Sequence, residues 1–211
     1  VTRGTASGFV VGAQTVVVTS ATRYDGGLAS EIALGTKLEV EGSLSGGVLT
    51  AEKVSLRDNV RLEGNVATVN ASTGVVTLAG LPGVTVKIDS LTELKDLASL
   101  AALPLSANVR VRGRSAGAGA VSASEFELRS TTPDTKVILQ GAVSAISGTR
   151  SVTILGVVVD TAGVAEDEFK GLDDQPIGRS AFFGALQIGT LVKARGKLGS
   201  GVGWDEMELE D

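Results

Sequence analysis

The chain has no cysteine and no histidine. Without them no disulfide framework or zinc finger can form, and thiol and imidazole catalysis are excluded. The absence of cysteine does not by itself fix the compartment. An excess of basic residues is also missing: the net charge is −5 and the pI about 4.9. A phosphate chain needs a basic surface, so no nucleic-acid partner is expected. Long apolar runs are absent too. The longest, Leu97-Ala98-Ser99-Leu100-Ala101-Ala102-Leu103, falls far short of the roughly 20 residues of a membrane-spanning helix, so no membrane span is expected. Aromatic residues are few, with five Phe, one Tyr and one Trp. They do not recur on one strand as a stacking platform for bases would require. The chain opens on Val1 rather than Met, which reads as a processed or excised form with no signal peptide left to inspect.

What is present is a repeat. Gly35-Thr36-Lys37-Leu38-Glu39-Val40-Glu41-Gly42 returns as Ser106-Ala107-Asn108-Val109-Arg110-Val111-Arg112-Gly113. It returns again as Gly189-Thr190-Leu191-Val192-Lys193-Ala194-Arg195-Gly196. Each copy alternates at period two, as a strand does, and ends in glycine. The copies lie 71 and 83 residues apart. The apolar share of 43% is enough to build cores, and the Val, Thr and Gly content suits short strands joined by glycine turns.

Around each copy the element order also recurs. Val60 to Val69 and Val137 to Ile146 read as long strands with a central glycine, which suits a bend or bulge. Two Val-rich strands follow, then a short helix, then the glycine-ended strand and a last strand. The helices are expected over Leu28–Leu34, from Glu93 towards Leu103 behind a Thr92 cap, and over Gly178–Leu186. This order predicts an all-β chain of three tandem five-stranded barrels of the oligonucleotide/oligosaccharide-binding (OB) type, each with one short helix between strands 3 and 4. The expected units are 1–57, 58–131 and 132–211. A single β-sandwich or a β-solenoid is the alternative. In the first unit the long first strand falls at the start of the chain, so Val1 to Ser7 must supply it or an edge is left open.

The glycine-ended V-x-V-x-G strand, the following Gly47-Val48-Leu49-Thr50-Ala51-Glu52-Lys53-Val54, and the T-x-[aromatic] loop Thr22-Arg23-Tyr24 resemble a family of bacterial envelope proteins. Its members carry tandem copies of a domain of unknown function numbered five-six-six-six. The second unit has Leu94 at the aromatic position, and the third reaches Phe169 there through an insertion. The resemblance implies export to the periplasm, cell surface or extracellular space, and no activity.

Candidate sites are correspondingly few. The acidic stretch Glu166-Asp167-Glu168 with Asp173-Asp174 lacks the ordered D-x-D-x-D-G loop of a calcium site and reads as a solvated loop. Gly46-Gly47, Gly117-Ala118-Gly119 and Gly199-Ser200-Gly201 lead into strands rather than helices, so they read as hairpin turns and not as phosphate loops. No catalytic residue, metal site or cofactor is expected. Tyr24 and Phe169 are candidates for a ligand loop. Glu39 and Glu41 share one strand face, while Arg110, Arg112 and Arg114, and Lys193 and Arg195, occupy the equivalent faces. Opposite signs on equivalent surfaces suggest an association surface. The expected function is a non-catalytic structural or assembly subunit, joined to itself or to another envelope protein by strand addition and charge contacts. The alternative is an oligosaccharide or small-ligand binding module.

Overall fold

A computed structural model of the chain describes residues 8–32, 36–117 and 119–211. The expected first strand at Val1–Ser7, the end of the expected helix at Ala33 and Leu34, Gly35 and the turn residue Ala118 lie outside the described residues. Among the described residues the fold is mostly β, with 55% strand and one α-helix. It divides into two compact units, 1–58 and 59–211.

The first unit holds five strands: β1 (Gly8–Val11), β2 (Gln14–Val17), β3 (Arg23–Asp25), β4 (Lys37–Ser45) and β5 (Val48–Arg57). Gly12 turns the β1–β2 hairpin with a φ of 59°, a left-handed conformation that glycine adopts without steric cost. β5 is the hub. It runs antiparallel to β4, and its other edge is parallel to β2 and then to β3. Alternation along the strands puts Phe9, Val16, Ala51, Val54 and Leu56 into a small core, with Tyr24 and Val40 packed against it. The helix expected from Leu28 is instead a single 3-10 turn, Ala29–Glu31. The Glu31 carboxylate accepts the Leu28 N–H at 2.7 Å, which ties the turn off locally.

The second unit contains β6 (Val60–Asn70), β7 (Val75–Leu78), β8 (Thr85–Lys87), β9 (Glu93–Lys95), β10 (Asn108–Ser115) and β11 (Ala120–Ser130). It continues with β12 (Lys136–Ser147), β13 (Ser151–Ile154), β14 (Val157–Asp160), β15 (Phe169–Lys170), helix α1 (Gly178–Ala185), β16 (Leu191–Leu198) and β17 (Val202–Glu210). The two long strands, β6 and β12, each change partners midway. Residues 60–65 of β6 pair with β10, and the strand pairs with β7 after a register shift between Val66 and Thr68. The irregularity falls beyond Gly64 rather than at it.

The expectation of three tandem barrels, each with a helix, is overturned. One 12-stranded sheet runs through the second and third repeats, with nine strands in the order β10-β11-β8-β7-β6-β12-β16-β17-β15 and β9, β13 and β14 branching from it. β10 also meets β6, so the sheet curls there, but it continues through β6 into β12 rather than closing as an isolated barrel. In the third repeat β14 pairs with β13 alone, and the first unit's sheet ends at β1 and β3. The architecture is a β-solenoid of stacked coils, the alternative considered above. The physical reason is edge cover. The second and third repeats each leave a strand edge that the other satisfies by pairing, through β6 and β12, as in other stacked repeats.

The helices fail for a similar reason. Only α1 forms. Residues 93–103 carry apolar side chains at one-turn spacing, but Leu94 lies opposite Phe126 in a parallel strand pair. Asp96 then turns at a φ of 56°, and only a 3-10 turn, Leu100–Ala102, remains. Thr92 caps no helix. Its hydroxyl donates to the Ala123 carbonyl at 2.8 Å and accepts the Asp89 N–H at 3.1 Å. Thr22 does the same in the first unit, donating to the Ala51 carbonyl at 2.7 Å and accepting the Thr19 N–H at 2.9 Å. The T-x-[aromatic] motif is thus a clamp that docks a short parallel strand onto the last strand of its repeat.

The glycine that ends each repeated strand has one cause. Gly42, Gly113 and Gly196 each stand at a register shift against the following strand. A Cβ there would run into the carbonyl oxygen of Thr50, Ser122 or Gly203, respectively. Gly113→Ala is expected to cost about 1–3 kcal/mol, as overpacking against fixed backbone does. Gly64→Ala is the control, because the nearest atom to its Cβ position is 3.8 Å away. Equal melting temperatures for the two variants would refute this account.

Candidate association surface

The charged positions singled out in the sequence are real strand faces, and each is answered on the next strand. On β10, Arg110 lies opposite Glu127 and Arg112 opposite Glu125 of β11. On β16, Lys193 lies opposite Glu208 and Arg195 opposite Glu206 of β17. In the first unit the signs are reversed: Glu41 lies opposite Lys53, and Glu39 reaches the neighbouring Arg57. The ion pairs follow. Arg112 Nε lies 3.8 Å from Glu125, Arg195 Nη1 3.1 Å from Glu206, Lys193 Nζ 2.7 Å from Glu210, and Lys53 Nζ 3.5 Å from Glu41. Arg110 pairs with Glu127, and Lys193 also with Glu208. Arg114 extends the row on β10 opposite Ser122. Cross-strand pairs of this kind stabilise register. The rows are largely neutralised inside their own sheet, so they are not free charge waiting for a partner.

The answering residues Glu125, Glu127, Glu206, Glu208, Lys53 and Arg57 were missed in the sequence. Their signal was the same period-two spacing on the last strand of each repeat, in S-E-F-E-L-R and D-E-M-E-L-E.

The ladder continues across the sheet. Arg61 and Glu63 of β6 stand next to Arg112 and Arg110. Lys136 reaches Glu63 at 3.0 Å and Arg61 does so at 3.6 Å. Ile138 lies opposite both Glu63 and Arg195, and so on this charged face, yet it is 1% exposed and outside the main apolar core. The aliphatic stems of long charged side chains can cover an apolar residue in this way.

The environment sets the protonation of several groups. Burial opposes the charge of Glu127, but the hydrogen bond from Arg129 at 2.7 Å and the Arg110 guanidinium outweigh it and hold the carboxyl below its ordinary value. Burial likewise opposes the charge of Lys193, and its bonds to Glu208 and Glu210 prevail and raise it. The Arg57 hydrogen bond and charge lower Glu39, and the Glu206 hydrogen bond raises Lys170.

For a lowered carboxyl such as Glu127, the stabilisation is fully present above the unfolded value of about 4.3. It is lost as pH falls through the lower folded value. Glu127→Gln is therefore expected to melt below the parent at pH 7, with the gap shrinking below about pH 4.3. A gap independent of pH across a melting series would show that ionisation of Glu127 contributes nothing.

The two candidate ligand-loop residues are placed differently. Tyr24 is half-buried on β3, opposite Val54. Phe169, on β15 opposite Met207, is fully buried and offers no ligand platform. It packs edge-on to Phe182 at 5.4 Å and against Phe183 at 6.2 Å. Its position corresponds to Tyr24 and Leu94, each on a short strand parallel to the last strand of its repeat.

Arg179 of α1 lies 4.5 Å over the Phe169 ring. It donates to the Thr149, Thr161 and Val164 carbonyls at 3.2, 2.9 and 3.0 Å and to the Thr161 hydroxyl at 2.8 Å. The acidic loop is held by cations: Glu166 takes the Arg179 N–H and Nε, and Asp174 and Glu168 face Lys170 at 3.3 and 3.8 Å.

A polar recess of about 380 Å³ lies where the second and third repeats meet, lined by Glu63, Asn108, Arg129, Thr132, Asp134 and Lys136. Asn65 ties its floor to the connecting segment through the Asp134 backbone N–H and carbonyl, at 2.9 and 2.7 Å. Among the described residues no helix is long and apolar enough to cross a membrane.

The first two repeats, with a threonine clamp, a glycine at the register shift and a small residue opposite it, define a β-repeat class. The family described as Domain of unknown function (DUF5666) matches residues 1–55 and 63–127, more than half of the chain, and the chain belongs to it. No curated protein and no solved structure matches. The third repeat, outside the matched stretches, carries Trp204 where the others have Ala51 and Ala123 opposite the glycine. Asp167 stands there in place of the clamping threonine.

Proposed function

We propose that this protein is a non-catalytic structural or assembly subunit of the bacterial envelope or an extracellular polymer, joined chiefly through strand edges. The observation that carries the reading is the β6–β12 pairing, in which one repeat joins the next edge to edge, with Leu62 opposite Leu139. The same mode between molecules makes a polymer. Residues 38–45 of β4 pair with β5 alone among the described residues, whereas the equivalent β10 and β16 are each paired on both sides. The envelope location rests on the resemblance of the repeat motifs. Because the charged rows are matched internally, they tune register and leave association to the backbone edge.

Light scattering across a concentration series, with electron microscopy of the same samples, tests the reading. Polymers that Val40→Pro abolishes are expected. A monomer at every concentration overturns it. The polar recess favours a second reading, a binding module for an oligosaccharide or other small polar ligand. A monomer whose melting temperature rises with an oligosaccharide would support that reading instead.

A further inference from the structure

In two of the three repeats a three-residue parallel ladder joins a middle strand to the start of the last strand. Thr15-Val16-Val17 pair with Val48-Leu49-Thr50, and Thr85-Val86-Lys87 pair with Ala120-Val121-Ser122. In the third repeat no such ladder forms among the described residues. By register, β14 corresponds to β8 and Gly201-Val202-Gly203 to Ala120-Val121-Ser122, yet β14 pairs only with β13, and Val202–Trp204 pair only with β16. A groove of about 470 Å³ occupies the place of the missing ladder. It is lined by Val157, Val158, Val202 and Trp204, together with Gly80 and Pro82 of the preceding repeat.

The groove therefore combines unused backbone hydrogen-bonding edges with apolar walls. Val158 is 63% exposed on this edge, and no charged side chain stands between it and the groove residues named above. Natural edges are usually blunted by charge, proline or cover. At the end of β14, Asp160 accepts the Ala162 N–H at 3.0 Å and is paired with Arg150 at 3.1 Å, so its charge is already matched.

We infer that this seam in the third repeat is a strand-addition slot for an extended segment of a partner polypeptide, one with a bulky apolar side chain for the Trp204 groove. The backbone edges select an extended chain, since only that geometry satisfies successive N–H and C=O groups. The apolar walls select the side chain. The slot does not depend on polymer formation.

Trp204 is the only tryptophan in the chain, so its fluorescence reports on the groove directly. The probe is a blocked peptide, Gly83-Val84-Thr85-Val86-Lys87-Ile88, the stretch that fills the equivalent ladder in the second repeat. Added to the full chain, it is expected to shift Trp204 emission saturably and to slow amide exchange at residues 157–160 and 201–203. Val158→Lys and a peptide N-methylated at alternate amides should each weaken binding about tenfold or more, the loss of roughly 1.4 kcal/mol.

No saturable change overturns the inference, and so does binding that the N-methylated peptide reproduces, because the ladder would then be irrelevant. Concentration-dependent protection of the same amides without peptide also overturns it, by assigning the slot to a second copy. Peptide binding by a strict monomer supports the slot while removing the polymer reading. Polymers that ignore the peptide do the reverse.

Discussion

Phe182→Ala is expected to lower the melting temperature of the 59–211 unit by roughly 6–20 °C, from about 3–5 kcal/mol for a truncated buried aromatic at about 2–4 °C per kcal/mol in a unit of this size. Phe182 is completely buried and stands edge-on to Phe169 at 5.4 Å and to Phe183 at 5.7 Å. Edge-to-face pairs contribute beyond their area, and both are lost together. A short helix of eight residues has little stability of its own, so α1 holds its place through this side chain. Calorimetry with far-UV circular dichroism checks it. A loss under about 1 kcal/mol would mean that α1 is peripheral and that the cavity collapses cheaply.

Arg179→Ala is expected to cost about 3 kcal/mol, or roughly 6–12 °C in melting temperature. Its guanidinium gathers three carbonyls, a hydroxyl and the Glu166 carboxylate from separate turns of the chain. Thr161 is fully buried, so its carbonyl loses one partner with no water to replace it. Arg179→Lys should recover less than half of the loss, because a point charge cannot reproduce the planar fork or stack on the Phe169 ring. Full rescue by lysine would show that charge alone matters. Both variants leave the repeated strands intact.

Much of this fold was legible in the chain itself. The three glycine-ended strands, the long strands β6 and β12 and helix α1 all follow from local periodicity and turn residues. Even the T-x-[aromatic] correspondence of Tyr24, Leu94 and Phe169 survives, because all three sit on the same short parallel strand of their repeats. These features are encoded by residues a few positions apart, where sequence spacing and spatial spacing coincide.

What only the tertiary structure decided is partnership. The residues from Glu93 carry a helical spacing, yet β11 draws Leu94 into a strand because Phe126 lies opposite. Phe169 has a polar neighbourhood in sequence and an aromatic one in space. The arginines of β10 looked like a surface awaiting a partner until β11 placed Glu125 and Glu127 beside them. The repeats themselves were visible, but not that the second and third share one sheet through β6 and β12. Strand partners are chosen by long-range edge pairing and burial, and a backbone edge has the same chemistry whatever its side chains. The sequence by itself therefore determined the strands and their repeat, and the tertiary structure alone decided which edges meet.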